Sequence, residues 1–182
     1  MTIYKDPALL QGRSVILHNA AGDPLRFDAS QLAAVAKDLS LYSVDGTSGT
    51  LRNTANTYVI RTAGTYKFPI VYGNGIKNGI ANPAAYTNQG GANQADFVNH
   101  LGNLITSPYI EKNANCQPSA AQLLWQTQAG MITTVSIVEG GDCKYIQFNV
   151  AEIPTTNGDA LIVVKDSGGN ILFTCVGDPL RP

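Results

Sequence analysis

The chain has 182 residues, of which 44% are hydrophobic and only 14% charged, and its net charge is −1. That length supports one well-buried core, or a core with a small appendage. A near-neutral chain without a Lys/Arg block excludes general attraction to nucleic-acid phosphates or an anionic membrane, and no apolar run of about 18 residues is present to span a bilayer.

Residues 1–13 are polar, contain Pro7 and read as an extended arm. The first residues lack the basic and apolar regions of a secretory signal, so assembly in the cytoplasm is expected, or a signal lost ahead of Met1. Ser14–His18 is a short apolar strand, Asn19–Asp23 a turn, and Pro24–Phe27 its hairpin partner, with Pro24 restricted to an edge or strand start. Asp28 and Gln31 then give a capping-box-like spacing. Leu32, Val35, Ala36 and Leu39 follow at i, i+3, i+4 and i+7, so the spacing predicts a helix near residues 29–39. The small residues of 46–56 read as a linker between an N-terminal segment, 1–45, and a main domain, 57–182.

From residue 57 the pattern is strand after strand. Tyr58 and Ile60 alternate with polar neighbours, as do Tyr66, Phe68 and Ile70, and Ala63-Gly64 between them predicts a hairpin. Further strands are expected at 122–126, 131–138, 143–150, 160–165 and 170–176. In the third of these, Ile146, Phe148 and Val150 share one face, opposite Tyr145, Gln147 and Asn149. Asp166–Asn170 is the loop of a last hairpin, and Trp125 is assigned to the core. A glycine- and asparagine-rich insert, about Tyr72–Pro118, interrupts the strands. One or two helical turns are expected in it around 94–104, on the spacing of Phe97, Leu101 and Leu104. Irregular segments of this length inside a domain are commonly functional. The echo of Gly22–Arg26 in Gly177–Arg181 reads as two similar turns.

Chemistry-bearing patterns are sparse. Two histidines, His18 and His100, and three cysteines, Cys116, Cys143 and Cys175, offer no zinc-ligand spacing and no disulfide framework. The cysteines are read as small buried hydrophobes, with one pairing possible. A nucleophilic cysteine needs a base within reach, and no local motif joins either histidine to Cys116. Gly73-Asn74-Gly75-Ile76-Lys77-Asn78-Gly79 has its third glycine one place late for a dinucleotide fingerprint, and reads as a chain-reversing loop built on Asn-Gly turns. No catalytic residue, metal ligand or cofactor-binding residue is assigned. Tyr72, Tyr86 and Tyr109, in or beside the insert, are the candidate partner-contact residues.

Several segments together carry a resemblance. They are Thr54–Ile60, Gly64–Pro69 and Val71–Asn74, then Leu124–Gln126, Tyr145–Phe148, Gly158–Asp166 and Gly169–Leu172. In this order they resemble the fimbrillin-like β-sandwich surface proteins of Bacteroides-type gut bacteria, over about residues 50–173. The resemblance brings no catalytic residue with it. It implies a mainly β fold: an antiparallel β-sandwich, Ig-like or jelly-roll-like, here with a short N-terminal arm and one helix. A surface-type domain without a recognisable signal fits a bacteriophage virion protein assembled in the host cytoplasm. The expected function is therefore a non-catalytic, homo-oligomeric structural or interaction protein of a virion surface, such as a capsid decoration, head fibre or tail accessory protein. Its expected partners are other virion or surface subunits, with a host-surface glycan as a secondary candidate, and no cofactor, nucleic acid or membrane insertion. The alternatives are a bacterial cell-surface fimbrial subunit or adhesin, and a carbohydrate-binding module or glycan-active enzyme.

Overall fold

Alternation of apolar and polar residues sets the architecture of the computed structural model. It describes residues 15–18, 24–27, 36–41, 49–87, 97–151 and 158–178, with backbone alone at 15–18, 24–27 and 174–178. The chain divides into two units, Met1–Val35 and Ala36–Pro182. In the first, β1 (Val15–His18) and β2 (Pro24–Phe27) form the expected antiparallel hairpin, with Val15 opposite Phe27 and His18 opposite Pro24. Pro24 is the first residue of its strand, where a missing N–H is tolerated.

The second unit runs in chain order through β3 (Lys37–Asp38), β4 (Thr57–Val59), β5 (Gly64–Pro69), β6 (Ile76–Lys77), β7 (Ile80–Ala81), β8 (Ala120–Gln126), β9 (Ile132–Glu139), β10 (Lys144–Val150), β11 (Ala160–Lys165) and β12 (Ile171–Asp178). One four-stranded sheet has the order β3-β5-β10-β9, the other β4-β12-β11-β8, and β6 and β7 form a separate two-stranded hairpin. Pairing is antiparallel except at β3–β5 and β4–β12. The fold is mainly β, as expected. Tyr66 and Phe68 of β5, Ile146, Phe148 and Val150 of β10 and Ile132 of β9 share one buried cluster with Tyr58 of β4, Ile162 and Val164 of β11 and Leu172 of β12. The two sheets therefore enclose a single core. Aromatic rings line it: Tyr58 of one sheet stacks on Phe68 of the other at 4.9 Å, and Phe68 meets Phe148 of its own sheet edge-on at 5.9 Å.

Four expectations need correction. The first is the hairpin between 57–61 and 65–70. β4 pairs in parallel with β12 and β5 antiparallel with β10, so the 60–64 segment crosses from one sheet to the other. The two strands bury Tyr58 and Tyr66 in the same core from opposite sheets. The Tyr66 hydroxyl closes the crossing by donating to the Thr62 carbonyl at 2.6 Å, a bond of the tyrosine-corner kind.

The second is the helix near 29–39. Lys37–Asp38 is a strand, and Leu39–Leu41 is a single 3₁₀ turn. The Asp38 carboxylate accepts from the Ser40 N–H at 3.0 Å and its hydroxyl at 2.6 Å, turning the chain as Leu39 enters the core. Residues 28–35 of that expectation lie outside the described residues.

The third concerns the helical turns expected around 94–104. An antiparallel bridge joins Val98 to Leu104 instead, and residues 94–96 are not described.

The fourth is Trp125, which is 45% exposed. β8 pairs Leu123 with Ile162 and Trp125 with Leu161, leaving Leu124 as an extra residue in a β-bulge. The bulge reverses the alternation, so Leu123 faces the core and Trp125 faces out.

Residues 49–56 hydrogen-bond within the second unit. The Thr54 N–H donates to the Ile76 carbonyl at 3.0 Å, and the Thr54 hydroxyl oxygen accepts from the Ile76 N–H at 3.0 Å. The Asn78-Gly79 turn joins β6 to β7 with φ of 53° and 77°, the left-handed values of a type I′ turn.

Candidate functional site

Beyond the β6–β7 hairpin, the insert satisfies much of its backbone with side chains. Asn113 is 3% exposed and accounts for most of this. Its Oδ1 accepts from the N–H groups of Thr106 at 2.9 Å and Ser107 at 3.2 Å, while its Nδ2 donates to the carbonyls of Ser107 at 3.0 Å and Tyr109 at 2.8 Å. Ile110, in the 3₁₀ turn Ile110–Lys112, anchors this knot in the core.

Asn99 repeats the device in the preceding loop. Its Oδ1 accepts from Leu101 N–H at 2.9 Å and Asn103 N–H at 3.0 Å, and its Nδ2 donates to Cys116 Sγ at 3.4 Å. His100 follows, with Nδ1 3.9 Å from the same sulfur and Nε2 3.8 Å from Asp166 Oδ2. Asp166 is fixed as a turn acid, accepting from Asn170 N–H at 2.8 Å and Asn170 Nδ2 at 2.9 Å. These bonds hold its carboxyl below the usual range, with a smaller contribution from His100. Sequence spacing did not reveal this line of thiol, imidazole and carboxylate, because its members lie 16 and 66 residues apart (116 − 100 and 166 − 100).

The order thiol–imidazole–carboxylate is that of a nucleophile, base and orienting acid. Access decides otherwise. Cys116 is 0% exposed and belongs to the core cluster, so no substrate carbonyl can approach its sulfur in this conformation. What the line does accomplish is mechanical: it fastens the 97–104 loop to the end of the β11–β12 hairpin. The loop's polar residues are spent on that fastening, and its apolar ones point out. Leu104 is 61% and Leu101 51% exposed, with Phe97 and Val98 also exposed. Large apolar side chains are thus held outward by a buried polar frame.

The three tyrosines have different placements. Tyr86 is buried and presents no contact surface. Tyr72 is half-buried. Burial, and then the adjacent Cys116, push its phenol well above the ordinary value. Tyr109 is half-buried in a second polar cluster. There Arg52 binds Asp142 and the Tyr145 hydroxyl, and the Tyr109 hydroxyl donates to Asp142 Oδ2 at 3.4 Å. Burial raises the Asp142 carboxyl, but the hydrogen bond and charge of Arg52 outweigh it, leaving the group below its usual range. Burial and then the Asp142 charge push the neighbouring Cys143 thiol up to about 12, so it stays protonated and inert at neutral pH. Gly140 is required here, since a Cβ would collide with the Tyr145 ring.

Among the described residues no group of three or more His, Cys, Asp or Glu side chains is arranged to hold a metal ion. A groove of about 380 Å³ beside β4 is lined by Leu39, Leu41, Leu51, Ala55, Tyr58 and Val59 among others, and none of the described residues lining it carries a carboxylate, imidazole or thiol. No helix among the described residues is long and apolar enough to cross a membrane. No protein-family profile, curated protein or solved structure matches the chain.

Proposed function

We propose that the protein is a non-catalytic interaction module that presents the 97–104 loop to another protein surface. The exposure of Leu101 and Leu104 on a loop pinned through Asn99 and His100 carries this reading. The setting that fits the surface-type β-domain is a bacteriophage virion, as a decoration, fibre or tail accessory subunit, with the bacterial cell surface as the alternative. Co-sedimentation of the purified chain with virions and, separately, with bacterial cells tests it. Wild type is expected to pellet with virions, and the L101S/L104S double variant to stay in solution. Equal behaviour of the two proteins overturns the loop assignment, and pelleting with cells alone moves the setting to the cell surface.

The Cys116–His100–Asp166 geometry favours one rival, a thiol acyltransferase or hydrolase that opens before acting. Rapid, His100-dependent labelling of Cys116 by iodoacetamide in the native protein supports that rival. Labelling only on unfolding retires it.

A further inference from the structure

Each four-stranded sheet has two edges, and natural β-proteins protect such edges from pairing with other chains. Three of the four edges here are blunted. β3 has two residues and β4 three, too short to template a partner, and β8 is broken by the bulge at Leu124. β9 differs. It runs for eight residues, Ile132–Glu139, and its one irregularity, opposite Asn149/Val150, lies near its start. Thr134–Glu139 is then in continuous register with β10, and it reads Thr-Val-Ser-Ile-Val-Glu, with no Lys, Pro or Gly and one charge at its far end.

Among the described residues no backbone hydrogen bond joins the outer edge of 133–139 to another segment. Beside it the sandwich is open. A cleft of about 240 Å³ lies between β8 and β9, lined by Ala121, Gln122, Leu123, Ile132, Thr133 and Val135. Leu123 and Val135 are only partly buried members of the core's rim.

From the open edge and the open seam together we infer that β9 is a self-association edge, on which β9 of a second copy of this chain pairs antiparallel. Two-fold pairing centred on Ser136 sets Ser136 against its own copy, Val135 against Ile137 and Thr134 against Val138, each pair on one face of the sheet. No like charges meet, and β-branched residues, which favour strand pairing, fill most of the register. The sheet becomes continuous across both copies, with eight strands in the order β3-β5-β10-β9-β9-β10-β5-β3, and the joined edges lie beside the seam. The symmetry is isologous and closed, so assembly stops at the dimer. This edge is separate from the 97–104 loop, and either can fail without the other.

Light scattering coupled to size exclusion, on the full chain from about 5 to 500 µM, tests the inference. Wild type is expected to approach twice the 19.3 kDa chain mass. Ser136→Lys and, independently, Thr134→Lys place a charge on this edge and are expected to give monomers with unchanged circular dichroism. L101S/L104S is expected to remain dimeric. As a positive control, Ser136→Cys in a Cys175→Ser background is expected to give a reducible covalent dimer on oxidation, Cys116 and Cys143 being buried. A strictly monomeric wild type, or dimers that persist in both folded Lys variants, overturns the proposal. So does growth into open-ended oligomers, since the pairing closes at two.

Discussion

The sandwich and its insert solve the same problem by different means. Every buried N–H and C=O needs a partner. In the sandwich, neighbouring strands supply them, and apolar side chains remain free to fill the core, as Ile146, Phe148 and Val150 do from β10. In the 97–117 part of the insert two buried asparagines supply several of them, Ile105 and Ile110 pack inward, and Leu101 and Leu104 face solvent. Packing holds one region and a few polar hubs hold the other. The two should therefore break differently.

The largest effect belongs to the core. Phe148 touches both Tyr66 and Phe68 across the aromatic cluster. Phe148→Ala is expected to cost about 3–5 kcal/mol, with fluorescence and far-UV dichroism lost together in denaturant, because the cavity lies between both sheets. Asn113→Ala should cost somewhat less, roughly 2–4 kcal/mol, since it leaves several buried backbone groups of residues 106–109 without partners. Its signature is locality. Amide exchange should accelerate across 98–117 while β10 and β11 stay protected. Uniform acceleration would show that the insert is integral to the core and would abolish the distinction. Tyr66→Phe, which loses the 2.6 Å bond to the Thr62 carbonyl but keeps the ring in the core, should cost about 1–2 kcal/mol.

The same division governs how far the structure was legible in sequence. The β10 strand shows its alternation within its own seven residues, and the β11–β12 and β1–β2 hairpins pair neighbours close in the chain, so all three were legible. The parallel pairing of β4 with β12 joins residues more than a hundred positions apart, and no local pattern encodes it. Trp125, expected in the core, is exposed because the bulge at Leu124 turns it to the outer face. The run Leu123-Leu124-Trp125 already breaks alternation and was the available signal. Nothing distinguished Asn99 and Asn113 from the other asparagines of a glycine-rich stretch, because their role arises from burial. The tyrosines named from sequence lie buried or half-buried, whereas Leu101 and Leu104 are among the side chains of the insert left exposed.

The smallest expected effect concerns the Arg52–Asp142 pair, which joins the 49–56 segment to the turn before β10. The Asp142 side chain is 44% exposed, so solvent screens the pair, and Asp142→Asn should cost no more than about 1 kcal/mol near pH 7. The pH dependence is more diagnostic than the size. A carboxyl whose pKa is lower folded than unfolded stabilises above its unfolded value of about 4, and that contribution disappears as pH falls through the folded value. The stability gap between wild type and D142N should therefore be level from about pH 7 to 5 and close progressively below pH 4. It should also shrink in high salt. Denaturant titrations at pH 7, 5, 4 and 3 check this. A gap that is unchanged at pH 3 would mean that Asp142 acts through packing around Tyr145 rather than through charge, and would place this cluster with the core instead of with the polar hubs.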